Sequence, residues 1–279
     1  MLLGYNTNGM AHHDLLDAVA LLAEIGYRAV AITIDHHGLS PRDRSLRTQI
    51  ARLKKALRQF DMRSVIETGA RFLLDPRRKH EPTLLSADPA GRAARVAFYR
   101  HAIRCAAELE SDCVSLWSGV LAEPVPRQQA MARLADGLGA VLDDAARHGV
   151  PVGFEPEPGM FIDSMAGYDE LLHWVDSSRL LLTLDVGHLH CQQETPIAEV
   201  VRRWAPRLVN VHLEDMRAGV HEHLMFGEGE IDFAPVLQAI ADVGYRAGVY
   251  VELSRHSHEA PTAARRAMDF LRDVMRRTA

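Results

Sequence analysis

The run LLLTLDVGH, Leu180 to His188, carries the reading of the fold. Leu180 to Leu184 is an apolar stretch of strand length, and it stops on Asp185, with His188 three residues further on. Comparable short runs recur at Leu2 to Tyr5, Ala29 to Ile34, Ser64 to Ile66, Val114 to Leu116, Val152 to Phe154, Leu208 to Val211 and Gly248 to Val251. Between them lie segments in which apolar residues return every three or four positions, most clearly at Leu15 to Ile25, Ser45 to Phe60, Ala93 to Leu109, Gln128 to His148 and Pro261 to Arg276. Alternation of this kind predicts βα units around a parallel sheet, with a helix after each strand. Gly26, Gly244 and the Gly149/Pro151 pair stand where helices must end and strands begin.

Eight such units favour closure into a (β/α)8 barrel, and no GxGxxG turn follows the first strand to suggest a doubly wound sheet. The 279 residues match the roughly 250 that one barrel takes, so the whole of 1–279 reads as a single α/β barrel domain. GYRA occurs twice, before the second and eighth strands, without the fixed-spacing identity that a duplication would leave. Two connections are long, Thr68 to about Pro89 and Asp215 to about Ile231, and long loops in compact domains are often functional.

A composition of 47% hydrophobic and 25% charged residues is that of a folded globular chain. The net charge of -5 and the 6% aromatic content disfavour a nucleic-acid partner, which calls for basic residues interleaved with stacking rings. No stretch approaches the roughly 20 apolar residues of a membrane span, and the start MLLGYNTNG has no charged segment before an apolar run, so a cytoplasmic location is expected. Cys105, Cys113 and Cys191 lack CxxC spacing and suggest neither disulfides nor a thiolate zinc site. A homo-oligomer is compatible with all of this.

Barrel active sites lie at the C-terminal ends of the strands, and here those ends are acids and histidines. The second strand leads to Asp35, His36 and His37, the third to Glu67, the fifth to Glu155, the sixth to Asp185 and His188, the seventh to His212 and the eighth to Glu252. Carboxylates at buried strand ends are costly to desolvate unless a shared cation compensates. Glu155, Asp185, His212 and Glu252 together make a mainly hard donor set, suited to one divalent ion: Mn2+, Mg2+, Co2+ or Zn2+.

The segments VGFEPEPG around Glu155, TLDVGH from Thr183 to His188, NVHLED around His212 and YVELS around Glu252 resemble the xylose-isomerase-like superfamily of TIM barrels. That group includes ketose 3-epimerases, inosose dehydratases, hydroxypyruvate isomerases and the endonuclease IV group. The likeness covers the second half of the chain strongly and the first half only in general pattern. It implies that Glu155, Asp185, His212 and Glu252 ligate the metal, and that Glu155 and Glu252 exchange a substrate proton while the cation polarises a carbonyl and steadies an enediolate. It also implies that His188 contacts substrate oxygen, and that Arg217, five residues after His212, contacts substrate hydroxyls. Glu67 could be a further ligand, could meet substrate hydroxyls in its context ETGAR, or could pair with Arg71, and Trp117 could face a sugar.

VHEHLMFGEGEIDF, Val220 to Phe233, is similar to the endonuclease IV pattern, with His221 in place of an Asp and His223 matching the His. His188, His221 and His223 would then form a second site of three imidazoles, a set that suits zinc. Two ions a few ångströms apart serve phosphoester hydrolysis. Against a nuclease, Glu67 and Trp117 stand where that pattern expects histidines. In the third loop, DPRRKHEP places Arg77, Arg78, Lys79 and His80, which could grip a phosphate or carboxylate if the loop covers the mouth. Asn6 and Asn8 are sugar-facing candidates, Glu157 is expected to orient its loop, and His12 and His13 are expected to be exposed. The expectation is a metal-dependent isomerase or epimerase of a sugar, polyol or related hydroxy-carbonyl compound, with a two- or three-metal phosphoesterase as the alternative. A barrel retained only for binding is disfavoured, because all four primary ligands are present.

Overall fold

A computed structural model describes the chain apart from Ser177 and Ala279. Eight parallel strands, β1 (Leu2–Asn6), β2 (Ala29–Thr33), β3 (Arg63–Glu67), β4 (Val114–Leu116), β5 (Val152–Phe154), β6 (Leu180–Asp185), β7 (Leu208–Leu213) and β10 (Gly248–Val251), close into a barrel in chain order, with β10 beside β1. A two-stranded antiparallel hairpin, β8 (Asp215–Arg217) and β9 (Val220–Leu224), interrupts the unit after β7. The outer layer contains α1 (Leu15–Ile25), α2 (Leu46–Gln59), α3 (Pro89–Leu109), α4 (Arg127–His148), α7 (Ile197–Trp204), α8 (Phe233–Asp242) and α9 (Ala260–Thr278), with the short α5 (Met165–Leu171) and α6 (Val186–Cys191) near β6. Their apolar faces and the outward residues of the strands form the large core. Among the described residues no helix is long and apolar enough to cross a membrane.

The expected strands are all present, and four ends differ in a way that matters. β1, β3, β6 and β7 run on to Asn6, Glu67, Asp185 and Leu213, so their polar residues are held in or beside the barrel ladder instead of in loops. The third helix begins at Pro89, ahead of the apolar period, because Asp88 caps it: its carboxylate accepts from the Ala90 amide at 3.0 Å. Proline at the first helical position needs no amide partner, which permits the early start.

Strand side chains alternate between faces, and this alternation positions the site. Toward the N-terminal end of the barrel interior, Ala29, Ala31, Val65, Cys113 and Tyr250 pack together. The Tyr250 ring lies across Gly4 and Gly248; a methyl group at either would come within 2.4 Å of it. Two residues further along the same faces come Thr33, Glu67, Ser115 and Glu252, so the apolar plug gives way to polar groups within one step of the pleat. In register, Asp185 sits opposite His212 and Tyr250 on the other flank of His212.

Candidate metal centre

Glu155, Asp185, His212 and Glu252 meet at the C-terminal mouth, each offering a donor atom within 4.8 Å of the others. His212 Nδ1 lies 3.0 Å from Glu155 Oε1, 3.0 Å from Glu252 Oε2 and 3.7 Å from Asp185 Oδ2. An ion with bonds of about 2.1 Å separates neighbouring donors by about 3 Å and opposite ones by about 4 Å, so these spacings fit one divalent cation. The donors are also in a state that invites one. Asp185 Oδ1 caps α6 by accepting from the His188 amide at 2.7 Å, but its Oδ2 is buried with no hydrogen-bond partner. A buried, unpartnered carboxylate oxygen facing three other donors is costly without a cation.

The strand ends fix the directions. Glu155 and Glu252 follow their strands by one residue, and their amides continue the ladder to Leu116 and Leu213 at 2.8 and 3.0 Å. Asn8 donates to Glu252 Oε1 at 2.7 Å, and Asn6 approaches Oε2 at 3.4 Å. Glu67 lies against the far nitrogen of the imidazole. Its Oε1 is 2.9 Å from His212 Nε2 and accepts from Asn210 Nδ2 at 3.0 Å. A carboxylate behind a ligating histidine fixes ring and tautomer, leaving Nδ1 for the cluster. Glu67, expected as a further ligand, against substrate hydroxyls or on Arg71, meets His212 and also lines the mouth cavity, because the pleat turns it inward.

Electrostatically the cluster has an excess of acids around one ring. Burial alone would push His212 down, but Glu67, Glu155 and Glu252 outweigh it and hold the imidazole well above its ordinary value. Burial pushes the Glu155 carboxyl up, while at Glu252 the attraction of His212 overcomes burial and draws the carboxyl down. One imidazolium cannot balance both acids, so one of them carries the cost. Glu157 is pushed up to about 8, chiefly by burial and then by Glu252 and Asp185. Glu214 is fully buried beside Asp185, with burial and then the Asp185 charge raising its carboxyl. It fits there because residue 187 is glycine: a Cβ would meet Glu214 Oε1 at 1.9 Å.

A second cluster adjoins the first. His188, His221 and His223 offer nitrogens within 4.8 Å of one another, with His188 Nε2 and His221 Nε2 3.1 Å apart. His188 also stands 3.7 Å from both Glu155 and Asp185, so it links the two groups. Burial pushes it down to about 4, with Asp185 opposing and the other two rings assisting, and burial lowers His221 as well. Neutral imidazoles are the form that binds metals. His221 and His223 ride on β9, and one residue anchors that hairpin. The buried Asp215 carboxylate accepts from the amides of Met216, Gly227, Gly229 and Ile231 at 2.8 to 3.1 Å.

The mouth is a cavity of about 270 Å3 that takes in Glu67, Glu155, His188, His212, His221, His223 and Glu252, with Trp117 on its wall. Arg217 is not brought there. It is exposed on β8 and donates to the Glu228 carbonyl at 2.9 Å, since the hairpin turns its side chain away from the barrel axis. Of the third-loop run, Lys79 and His80 line the cavity while Arg78 pairs with Asp75 outside it. Arg71 and Arg255 line it too, and no feature of the sequence singled out Arg255. A larger neighbouring cavity of about 350 Å3 carries His12, His13, His36 and His37, with Asn8, Thr33 and Arg71 in the shared wall. It holds none of the converging acids, so the smaller cavity is the candidate site.

Comparison with known proteins agrees with this architecture. The family model described as xylose isomerase-like TIM barrel matches residues 19–274. Among curated proteins, an inosose dehydratase from Klebsiella pneumoniae (strain 342) is 29% identical over 150 residues, which are 47% of this chain and 50% of that one. The chain thus spans about half the length of the first curated relatives it matches. Among solved structures, an L-ribulose 3-epimerase superposes with a TM-score of 0.79 at 20% identity, covering 99% of this chain and 95% of that one. The IOLI protein with a binding zinc atom gives 0.78 at 18% identity over 100% and 99% of the two chains. At these identities the two structures speak for the fold.

Proposed function

From the membership of this chain in the xylose isomerase-like TIM-barrel family, we propose that it is a divalent-metal-dependent isomerase or epimerase of a sugar, polyol or related hydroxy-carbonyl compound. The observation that carries this reading is the convergence of three carboxylates and one imidazole, with an unpartnered Asp185 oxygen among them, at the floor of a polar cavity of sugar size. Glu155, Asp185, His212 and Glu252 would hold the ion, which when bound supplies a positive charge to polarise a substrate carbonyl. The ligand chemistry admits Mn2+, Mg2+, Co2+ or Zn2+, and zinc is bound in the related IOLI structure.

The chain's own groups divide the remaining work. Glu252 is steadied by Asn8 and Asn6, and with Glu155 it lines the cavity, so the two carboxyls serve as the proton acceptor and donor at the carbon next to the carbonyl. Positioned acid–base groups of this kind contribute about 10^2 to 10^4 in rate. In this reading Trp117 and the walls exclude bulk water and His188, on the cavity lining, hydrogen-bonds a substrate oxygen. Glu67 keeps His212 in its tautomer and orientation.

One observation favours a second reading. The His188/His221/His223 triad has the composition of a zinc site, and a second ion beside the first would suit phosphoester hydrolysis. Proton exchange separates the readings. Ketoses and inososes incubated with the protein in D2O are expected to gain deuterium at the carbon beside the carbonyl, followed by NMR. Phosphate release from a nucleotide or phosphodiester, without any such exchange, would reverse the order of the two.

A further inference from the structure

We infer that the rim of the cavity carries an anion subsite built from Arg71 and Lys79, and that the substrate is a sugar derivative bearing a phosphate or carboxylate; this rests on the isomerase reading above. The floor of the cavity is acidic, with Glu67, Glu155 and Glu252, while cations are confined to its rim. An anionic group would be repelled by the floor and drawn to the rim, which orients an elongated substrate with its reacting end inward.

The cations are placed there by a built structure, not by chance exposure. Arg95, on α3, is fully buried, and no carboxylate lies within salt-bridge distance among the described residues. Its guanidinium donates to the carbonyls of Pro82 at 2.7 Å, His80 at 2.5 Å and Thr68 at 3.4 Å, and it stacks near the rings of Phe98, Tyr99 and Trp117. Three carbonyls from both ends of the connection between β3 and α3 are thereby gathered under one side chain. The His80 ring bonds the Gly69 carbonyl and meets the Trp117 ring edge-on at 5.3 Å, and the His80 amide bonds the Arg71 carbonyl. The loop is therefore pinned with Gly69, Arg71, Lys79 and His80 against the cavity.

Pinning sorts the run of basic residues. Arg78 turns outward to Asp75, whereas Lys79 faces the cavity and has no carboxylate within salt-bridge distance among the described residues. Arg71 donates to the Asn8 carbonyl at 2.8 Å and stands 3.6 Å from Asp35, which fixes its head beside the cavity while leaving other N–H groups for a ligand. Ala70, Arg71 and His80 all hold positive φ, a conformation these residues adopt only when the surroundings impose it. A guanidinium and a mobile ammonium at one opening form the donor set that grips phosphate or carboxylate oxygens.

The test is binding of inorganic phosphate to the full-length, metal-loaded protein by equilibrium dialysis, with Lys79→Met and Lys79→Arg beside the wild type. Saturable binding is expected, weakened about tenfold or more in Lys79→Met and largely kept in Lys79→Arg. Equal affinity in all three proteins, or none in the wild type, overturns the subsite. Methyl phosphate and acetate as competitors tell the two anion sources apart: displacement by either supports the subsite, and displacement by neither counts against it. Because the readout is binding, a protein that shows this Lys79 dependence yet catalyses no exchange in D2O keeps the subsite and loses the isomerase reading.

Discussion

Glu252→Gln and Glu155→Gln should each lower turnover by about 10^3 or more, with the circular dichroism spectrum and thermal midpoint close to those of the parent protein. Glutamine keeps the volume and one carbonyl oxygen, so Asn8 retains its acceptor at position 252. What it removes is the ability to take up or release a proton, together with one negative charge toward the ion. Deuterium exchange into substrate should vanish in step with turnover, since both depend on the same group. Activity within about tenfold of wild type in either variant would remove that residue from the proton-transfer pair.

The largest effect on stability is expected from a residue that touches no proposed ligand. Arg95→Met should cost about 3 kcal/mol or more in denaturant unfolding, because it strips the donors from the Thr68, His80 and Pro82 carbonyls and leaves them inside the protein. Methionine fills most of the volume, so the loss would come from unsatisfied acceptors and from the contacts to three aromatic rings. Limited proteolysis should begin to cut within residues 68–88. Arg95→Lys can serve one carbonyl of the three and should fall between. A change of less than about 0.5 kcal/mol in Arg95→Met would show that the loop is held by other means.

The barrel and the gathering of four donor side chains at its mouth were legible in the sequence, the first from the apolar strand runs and the second from the residues that follow them. Strand ends bring Glu155, Asp185, His212 and Glu252 to one rim, whereas Asp35, His36 and His37, just past the end of β2, line the neighbouring cavity instead. His221 and His223 stood out only through their likeness to a known metal-binding pattern and were expected in a long loop; they lie on β9 instead, two residues apart, with His221 3.1 Å from His188. Arg217 shows where the same reasoning stops. Its distance from His212 along the chain is short, but a hairpin begins at Asp215, and the direction of a hairpin side chain depends on turn and register. Asp215 marked only the start of a long connection in the sequence, and the folded loop shows four amides converging on it. Arg95 and Arg255 gave no signal at all. An arginine inside a helix normally reaches solvent, and nothing in AARVAF tells that this one turns inward under a loop 13 to 27 residues away.

If Glu155, Asp185, His212 and Glu252 hold one divalent cation, a Mn2+ titration of chelator-treated protein, followed by the electron paramagnetic resonance signal of free Mn2+, will register it. Asparagine at position 185 can still cap α6, so Asp185→Asn removes a ligand without removing the cap. The wild type should take up about one tightly held ion per chain, and Asp185→Asn should bind it about 10- to 100-fold more weakly. No uptake by the wild type, or equal affinity in Asp185→Asn, would mean that these four residues hold no such ion.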